Sequence, residues 1–174
     1  MPELKPIISP RKISQTVRRL AREIEKDYAS KTPVLIGVLK GSFVFLADLI
    51  KELAMPLEID FIRAACYGMN DVPSGRVCIA KDIETDIEGR DVIVVEDIVD
   101  RGATIRGVMD YLKRKKPSTI KLCALLLKDG GRSVRVDYLG ATVGEGFVVG
   151  YGMDYKEKYR NIPGICVIDI KSGD

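Results

Sequence analysis

The chain has 174 residues, 46% apolar and 30% charged, with a formal net charge of +3; that is the balance of one globular domain with a good core, and it falls short of a nucleic-acid signature. It contains no histidine, which excludes a Ser-His-Asp or Cys-His mechanism and any zinc site built on imidazole. The first ten residues lack a signal-peptide pattern and no apolar run is long enough to cross a bilayer, so a cytoplasmic location with no membrane partner is expected.

In chain order, Ile13, Val17, Leu20, Ala21 and Ile24 recur at helical spacing with Arg and Lys between them. They predict an amphipathic helix that ends before Lys31-Thr32-Pro33. Val34 to Val38 reads as a buried strand. Phe43, Leu46, Leu49, Ile50 and Leu53 form the apolar stripe of a second helix, closed by Pro56, and Leu57 to Ile62 is the next strand. Strand, helix, strand in this order implies a right-handed crossover and parallel pairing. From Arg63 to Ile79 the hydrophobic period is lost, the pattern of a lid or binding loop, with Val77 to Ala80 able to return as a strand.

Val92 to Val95 reads as a fully buried strand, and a helical pattern starts at Ile105 (Val108, Met109, Leu112). The basic cluster from Lys113 to Lys116 closes that helix before Pro117 and suits its dipole better than it suits RNA. Ile120 to Leu127 is another buried strand; Phe147 to Gly150 and Ile165 to Asp169 complete the set. Cys123 and Cys166 lie in apolar runs as core residues, and the four cysteines show no Cys-x-x-Cys spacing. There is no repeat, low-complexity segment or linker. The expectation is one α/β domain over residues 1–174, an open, mainly parallel twisted sheet flanked by helices.

The chemistry concentrates between the central strand and its helix, in Glu96-Asp97-Ile98-Val99-Asp100-Arg101-Gly102-Ala103-Thr104. Ligands of open α/β sheets bind at such loops, outside the carboxyl ends of the strands. Gly102 lets backbone approach a ligand, and the helix start offers N–H groups that suit a phosphate. Thr104 adds a hydroxyl. Acids this close to an anion site make sense if they hold sugar hydroxyls or a hard cation such as Mg²⁺. A second loop, Lys40-Gly41-Ser42, leaves the sheet at the same edge with a cation and a flexible glycine. Gly37-Val38-Leu39-Lys40-Gly41-Ser42 has lysine before glycine and the wrong spacing for a nucleotide P-loop.

The string from Glu96 to Thr104, after a Val-rich strand, resembles the phosphoribosyl-pyrophosphate loop of the type I phosphoribosyltransferases. Other segments resemble the hypoxanthine-guanine branch of that family: Leu39-Lys40-Gly41, Leu125-Leu126-Leu127-Lys128, and the run from Phe147 through Asp154 to Arg160-Asn161. The resemblance implies Mg²⁺-dependent transfer of a 5-phosphoribosyl group from phosphoribosyl pyrophosphate to hypoxanthine, and to guanine, giving IMP or GMP and pyrophosphate. It implies a small hood over the base, formed by the terminal segments and roughly residues 147–174, and a homodimer or homotetramer with no nucleic-acid partner.

By the same match, Lys40 and Gly41 contact pyrophosphate through a loop that often holds a non-proline cis peptide, and Arg160 reaches toward pyrophosphate. Lys128 meets the purine 6-oxo group, Phe147 stacks on the base, and the backbones of Val148 and Asp154 pair with its edge. Tyr67 opens the mobile catalytic loop. Glu96 and Asp97 hold ribose hydroxyls and the metal's water shell, with the Asp154 side chain helping the metal. Arg101, Gly102, Ala103 and Thr104 surround the 5-phosphate, and Asp100 is the candidate base.

Three positions depart from the family pattern. Cys66 stands where Ser is usual, Arg101 where Thr is usual, and Val143-Gly144-Glu145 where the approach to the hood usually contains proline. A rival reading is an RNA-binding regulator of pyrimidine genes on the same fold. Those regulators are implied to carry an uncharged residue at the position of Asp100, so Asp100 and the hood favour the enzyme.

Overall fold

Leu35 and Val34 are neighbours in one strand yet face opposite ways, each into its own apolar core, and the whole architecture follows from that division. The computed structural model describes residues 3–66, 77–131 and 133–169. Its elements are β1 (Leu4–Ile8), α1 (Pro10–Asp27), β2 (Val34–Leu39), α2 (Phe43–Glu52), β3 (Glu58–Cys66), β4 (Val77–Lys81), β5 (Asp91–Val99), α3 (Ala103–Lys113), β6 (Thr119–Lys128), β7 (Tyr138–Val143), β8 (Phe147–Val149) and β9 (Ile165–Ile168). A 3-10 turn, Asp129–Gly131, follows β6.

Six strands form the main sheet in the order β4-β3-β2-β5-β6-β7. All its neighbours pair in parallel except β3 and β4. Both faces of the central strands are buried, which is why they read as unbroken apolar runs. Ile93 and Val95 of β5 join the core under α1 and α2, and Val92 and Val94 join the core under α3. Helix α1 starts on Pro10 with Ser9 as N-cap, its hydroxyl accepting the Lys12 N–H at 3.3 Å. Its buried stripe is Ile13, Val17, Leu20, Ala21 and Ile24, as its spacing predicts. No helix among the described residues is long and apolar enough to cross a membrane.

A second sheet, β1-β9-β8, is antiparallel and joins the amino-terminal segment to the hood. Three details differ from the sequence reading. Strand β5 runs to Val99, so Glu96 and Asp97 lie inside it, because the ladder to β6 continues through Val99↔Leu127. Strand β3 continues to Cys66, four residues into the stretch expected as loop, held by its antiparallel pairing to β4. The buried stripe of α2 is Phe45, Leu46 and Leu49; Phe43, expected on that face, is exposed at the helix start.

Candidate active site

Strands β2, β5 and β6 run in parallel, so the loops after them open at one edge of the sheet. The β5–β6 register ends at Val99↔Leu127, which makes Asp100 and Lys128 the next pair. Lys128 Nζ stands 3.1 Å from Asp100 Oδ2, the lysine mostly buried and the aspartate mostly exposed. Gly102, at φ 78°, sits in the left-handed region at the N-cap of α3. A side chain there would meet both the backbone penalty and the Val134 methyl, so glycine is required. With no side-chain cap, the first turn of α3 turns its backbone dipoles toward a cavity of about 250 Å³. Glu96, Asp100, Arg101, Ala103 and Thr104 line that cavity. Arg101 is exposed and has no side-chain partner among the described residues.

Glu96 and Asp97 are buried side by side. The Asp97 N–H donates to Glu96 Oε1 at 3.2 Å, and the Ile98 N–H to Asp97 Oδ1 at 2.9 Å. Burial pushes the Glu96 carboxyl well above the usual range, and the charge of Asp97 pushes it further. The β2–α2 loop closes directly on this pair. A Cβ on Gly41 would overlap the Asp97 carboxylate, and one on Gly152 would overlap the Gly41 carbonyl. The Leu39–Lys40 peptide is cis, the form the resemblance implied.

The hood contributes the remaining candidates. Phe147 on β8 is 42% exposed, and the Tyr155 ring meets it edge to face at 5.2 Å and 74°. Val148 is buried and pairs with Val167 of β9. Arg160 is held by Asp154 Oδ1 at 2.7 Å and by the Gly152 carbonyl at 2.8 Å. Glu157 lies between Lys40 and Arg160, Oε2 at 3.0 and 3.1 Å from their nitrogens.

The structure thus brings together Lys40, Gly41, Asp97, Gly152 and Arg160 on one side and Asp100 with Lys128 on another. The expected metal set of Glu96, Asp97 and Asp154 is not gathered: among the described residues no three Cys, Asp or Glu side chains form a metal cage, and Asp154 turns to Arg160. Tyr67 lies outside the described residues. Tyr155 and Glu157 had no role in the sequence reading. The available signal for Glu157 was the three-residue spacing of Asp154, Glu157 and Arg160. A larger cavity, about 750 Å³, lies between α1 and β7 and contains none of the candidate residues.

A parallel-dominated sheet with this strand-end loop, helix start and hood defines an α/β protein of the type I phosphoribosyltransferase fold. The family model for the phosphoribosyl transferase domain matches residues 7–156, and the chain belongs to that family. The hypoxanthine-guanine phosphoribosyltransferase of Bacillus subtilis (strain 168) is 43% identical over 166 residues, 94% of this chain and 92% of that protein. The bifunctional protein TilS/HprT of Listeria monocytogenes serotype 4b (strain F2365) is also 43% identical over 166 residues, but this chain spans 26% of its length. A crystal structure of a hypoxanthine-guanine phosphoribosyltransferase from Bacillus anthracis superposes with a TM-score of 0.90 at 43% identity, covering 96% of this chain and 100% of that one.

Proposed function

We propose that this chain transfers the 5-phosphoribosyl group of phosphoribosyl pyrophosphate to hypoxanthine and guanine, releasing pyrophosphate with IMP or GMP. The observation that carries the reading is the 3.1 Å approach of Lys128 to Asp100, a residue that lines the 250 Å³ cavity. It sets a fixed cation and an exposed carboxylate beside an anion-suited helix start. The B. subtilis and B. anthracis relatives carry this activity in their names.

In this reading the backbone of Gly102 to Thr104, with the Thr104 hydroxyl, holds the 5-phosphate, and Arg101 lies at its rim. Glu96 and Asp97 accept from the ribose hydroxyls. Lys128 donates to the purine 6-oxo group, Phe147 stacks on the ring, and the Val148 and Asp154 backbones read its edge. Asp100 takes the ring proton as the base adds to C1 of the ribose, whose transition state carries positive charge as in glycoside chemistry. Lys40, Gly41 and Arg160 meet the departing pyrophosphate, and Tyr67 belongs to the loop that would exclude water.

The residues present suit Mg²⁺. Glu96 and Asp97 are adjacent hard donors whose mutual repulsion a cation would relieve. Two carboxylates, completed by water and substrate oxygens, is the coordination Mg²⁺ prefers. Bound there, Mg²⁺ would neutralise charge on the leaving pyrophosphate. The same reading carries a cytoplasmic location and a homodimeric or homotetrameric assembly.

A panel of purine bases incubated with phosphoribosyl pyrophosphate, with and without Mg²⁺, tests the proposal. IMP and GMP should form only with the metal. Absence of transfer to every base, with tight binding of structured RNA, would instead make the chain a regulator.

A further inference from the structure

Glu157 sits in the hood turn at φ 62°, beside Lys156 at φ 50°. Its N–H donates to Asp154 Oδ2 at 2.8 Å. Its side chain is 65% exposed, so burial does not hold it in place. Two cations do: Oε2 lies 3.0 Å from Lys40 Nζ and 3.1 Å from an Arg160 guanidinium nitrogen. Hydrogen bonds from Lys40 and then Arg160 hold its carboxyl below the usual range.

The two cations come from distant parts of the chain, Lys40 from the β2–α2 loop and Arg160 from the hood. Arg160 does not depend on Glu157 for its position, since Asp154 and the Gly152 carbonyl already fix it. The Glu157 carboxylate therefore occupies the place of a small anion bridging two separately mounted cations. Under the reading above, those are the cations that meet pyrophosphate.

We propose that Glu157 is the internal counter-anion of the pyrophosphate subsite. It bridges Lys40 and Arg160 when the subsite is empty, yields them to the substrate's pyrophosphate, and returns to them as pyrophosphate leaves. Incoming pyrophosphate must then break two ion pairs before making its own contacts, which weakens binding and speeds release. The assignment rests on the phosphoribosyltransferase reading of Lys40 and Arg160. Glu157 is a positioning residue: it holds Lys40 and offsets the charge of Arg160 while the subsite is empty, and it touches no reacting atom.

The test is calorimetric titration of magnesium pyrophosphate into wild type, Glu157→Gln and Glu157→Ala, at low and high salt, below each variant's melting temperature. Steady-state KM values for both substrates complete it. Both variants should bind pyrophosphate about three- to tenfold more tightly, the range for two ion pairs of one exposed carboxylate removed from competition. The gain should shrink at high salt. The KM for phosphoribosyl pyrophosphate should fall while that for hypoxanthine stays unchanged, a split that a merely structural residue would not produce. Equal or weaker pyrophosphate binding by both folded variants would overturn the proposal. If wild type itself binds no pyrophosphate, the phosphoribosyltransferase reading falls first and takes the proposal with it.

Discussion

Asp100 and Lys128 meet at 3.1 Å because the parallel ladder of β5 and β6 runs in register to the residues just before them. The contact joins the candidate base to the candidate reader of the purine oxygen, and the paired ends of two strands bring them together. Asp100→Asn should lower kcat by about 10²–10⁴-fold, the range for a positioned general base. It should leave binding of phosphoribosyl pyrophosphate nearly intact. Single-turnover kinetics beside a binding titration separate the two effects, and turnover within a few-fold of wild type would remove Asp100 from the role.

Adenine should be a poor substrate. The Lys128 ammonium only donates hydrogen bonds, so it matches a 6-oxo acceptor and meets the 6-amino group of adenine donor to donor. Sites built around such a match reject the mismatched ligand by up to about 10⁴–10⁵-fold. Comparing kcat/KM for adenine and hypoxanthine is sufficient; similar values would show that Lys128 does not read the base.

Arg101→Thr should be nearly silent. The guanidinium is exposed and has no side-chain partner among the described residues, while the Gly102 turn already brings backbone to the cavity. Phosphoribosyl pyrophosphate titrated against both proteins at two salt concentrations gives the answer. An affinity loss of tenfold or more, about 1.4 kcal/mol, that shrinks at high salt would put the guanidinium on the phosphate.

Asp60 ties β3 to the loop before β5, accepting N–H groups from Phe61 at 2.6 Å and from Glu84 and Thr85 at 2.7 Å. Burial acts to raise its pKa, but the backbone donors prevail and hold it below the usual carboxylate range. A carboxylate depressed in the folded state stabilises above its unfolded pKa, and that contribution is lost as pH falls through the folded value. Asp60→Asn should therefore cost about 1–3 kcal/mol at neutral pH, and the gap from wild type should close on acidification. Urea unfolding of both proteins at neutral and acid pH checks it; a gap independent of pH would contradict the assignment.

The sequence made legible whatever is local. The runs of β2, β5 and β6 are apolar throughout because both their faces are buried, and the α1 stripe appears at its spacing. The loops between such strands and helices can be placed at one sheet edge from the order of elements alone. Strands β1 and β7 carry no clear pattern. The first is largely exposed and contains Pro6, and the second carries Gly140, whose missing side chain makes room for the Leu125 carbonyl. Phe43 looks like a core residue by spacing but falls on the first turn of α2, beyond the covering elements. The partnership of Glu157 with Lys40 depends on a fold that brings opposite ends of the chain together, and no local pattern encodes it.

In the proposed reaction the segment from Glu96 to Thr104 holds an activated ribose phosphate while Asp100 and Lys128 present a 6-oxopurine to it. Phosphorus NMR of phosphoribosyl pyrophosphate with Mg²⁺ and the protein, before and after adding hypoxanthine, tests it most directly. The spectrum should stay stable without base, and IMP and pyrophosphate should then appear in equal amounts. An unchanged spectrum after hypoxanthine, or hydrolysis to ribose 5-phosphate that ignores the base, would contradict it.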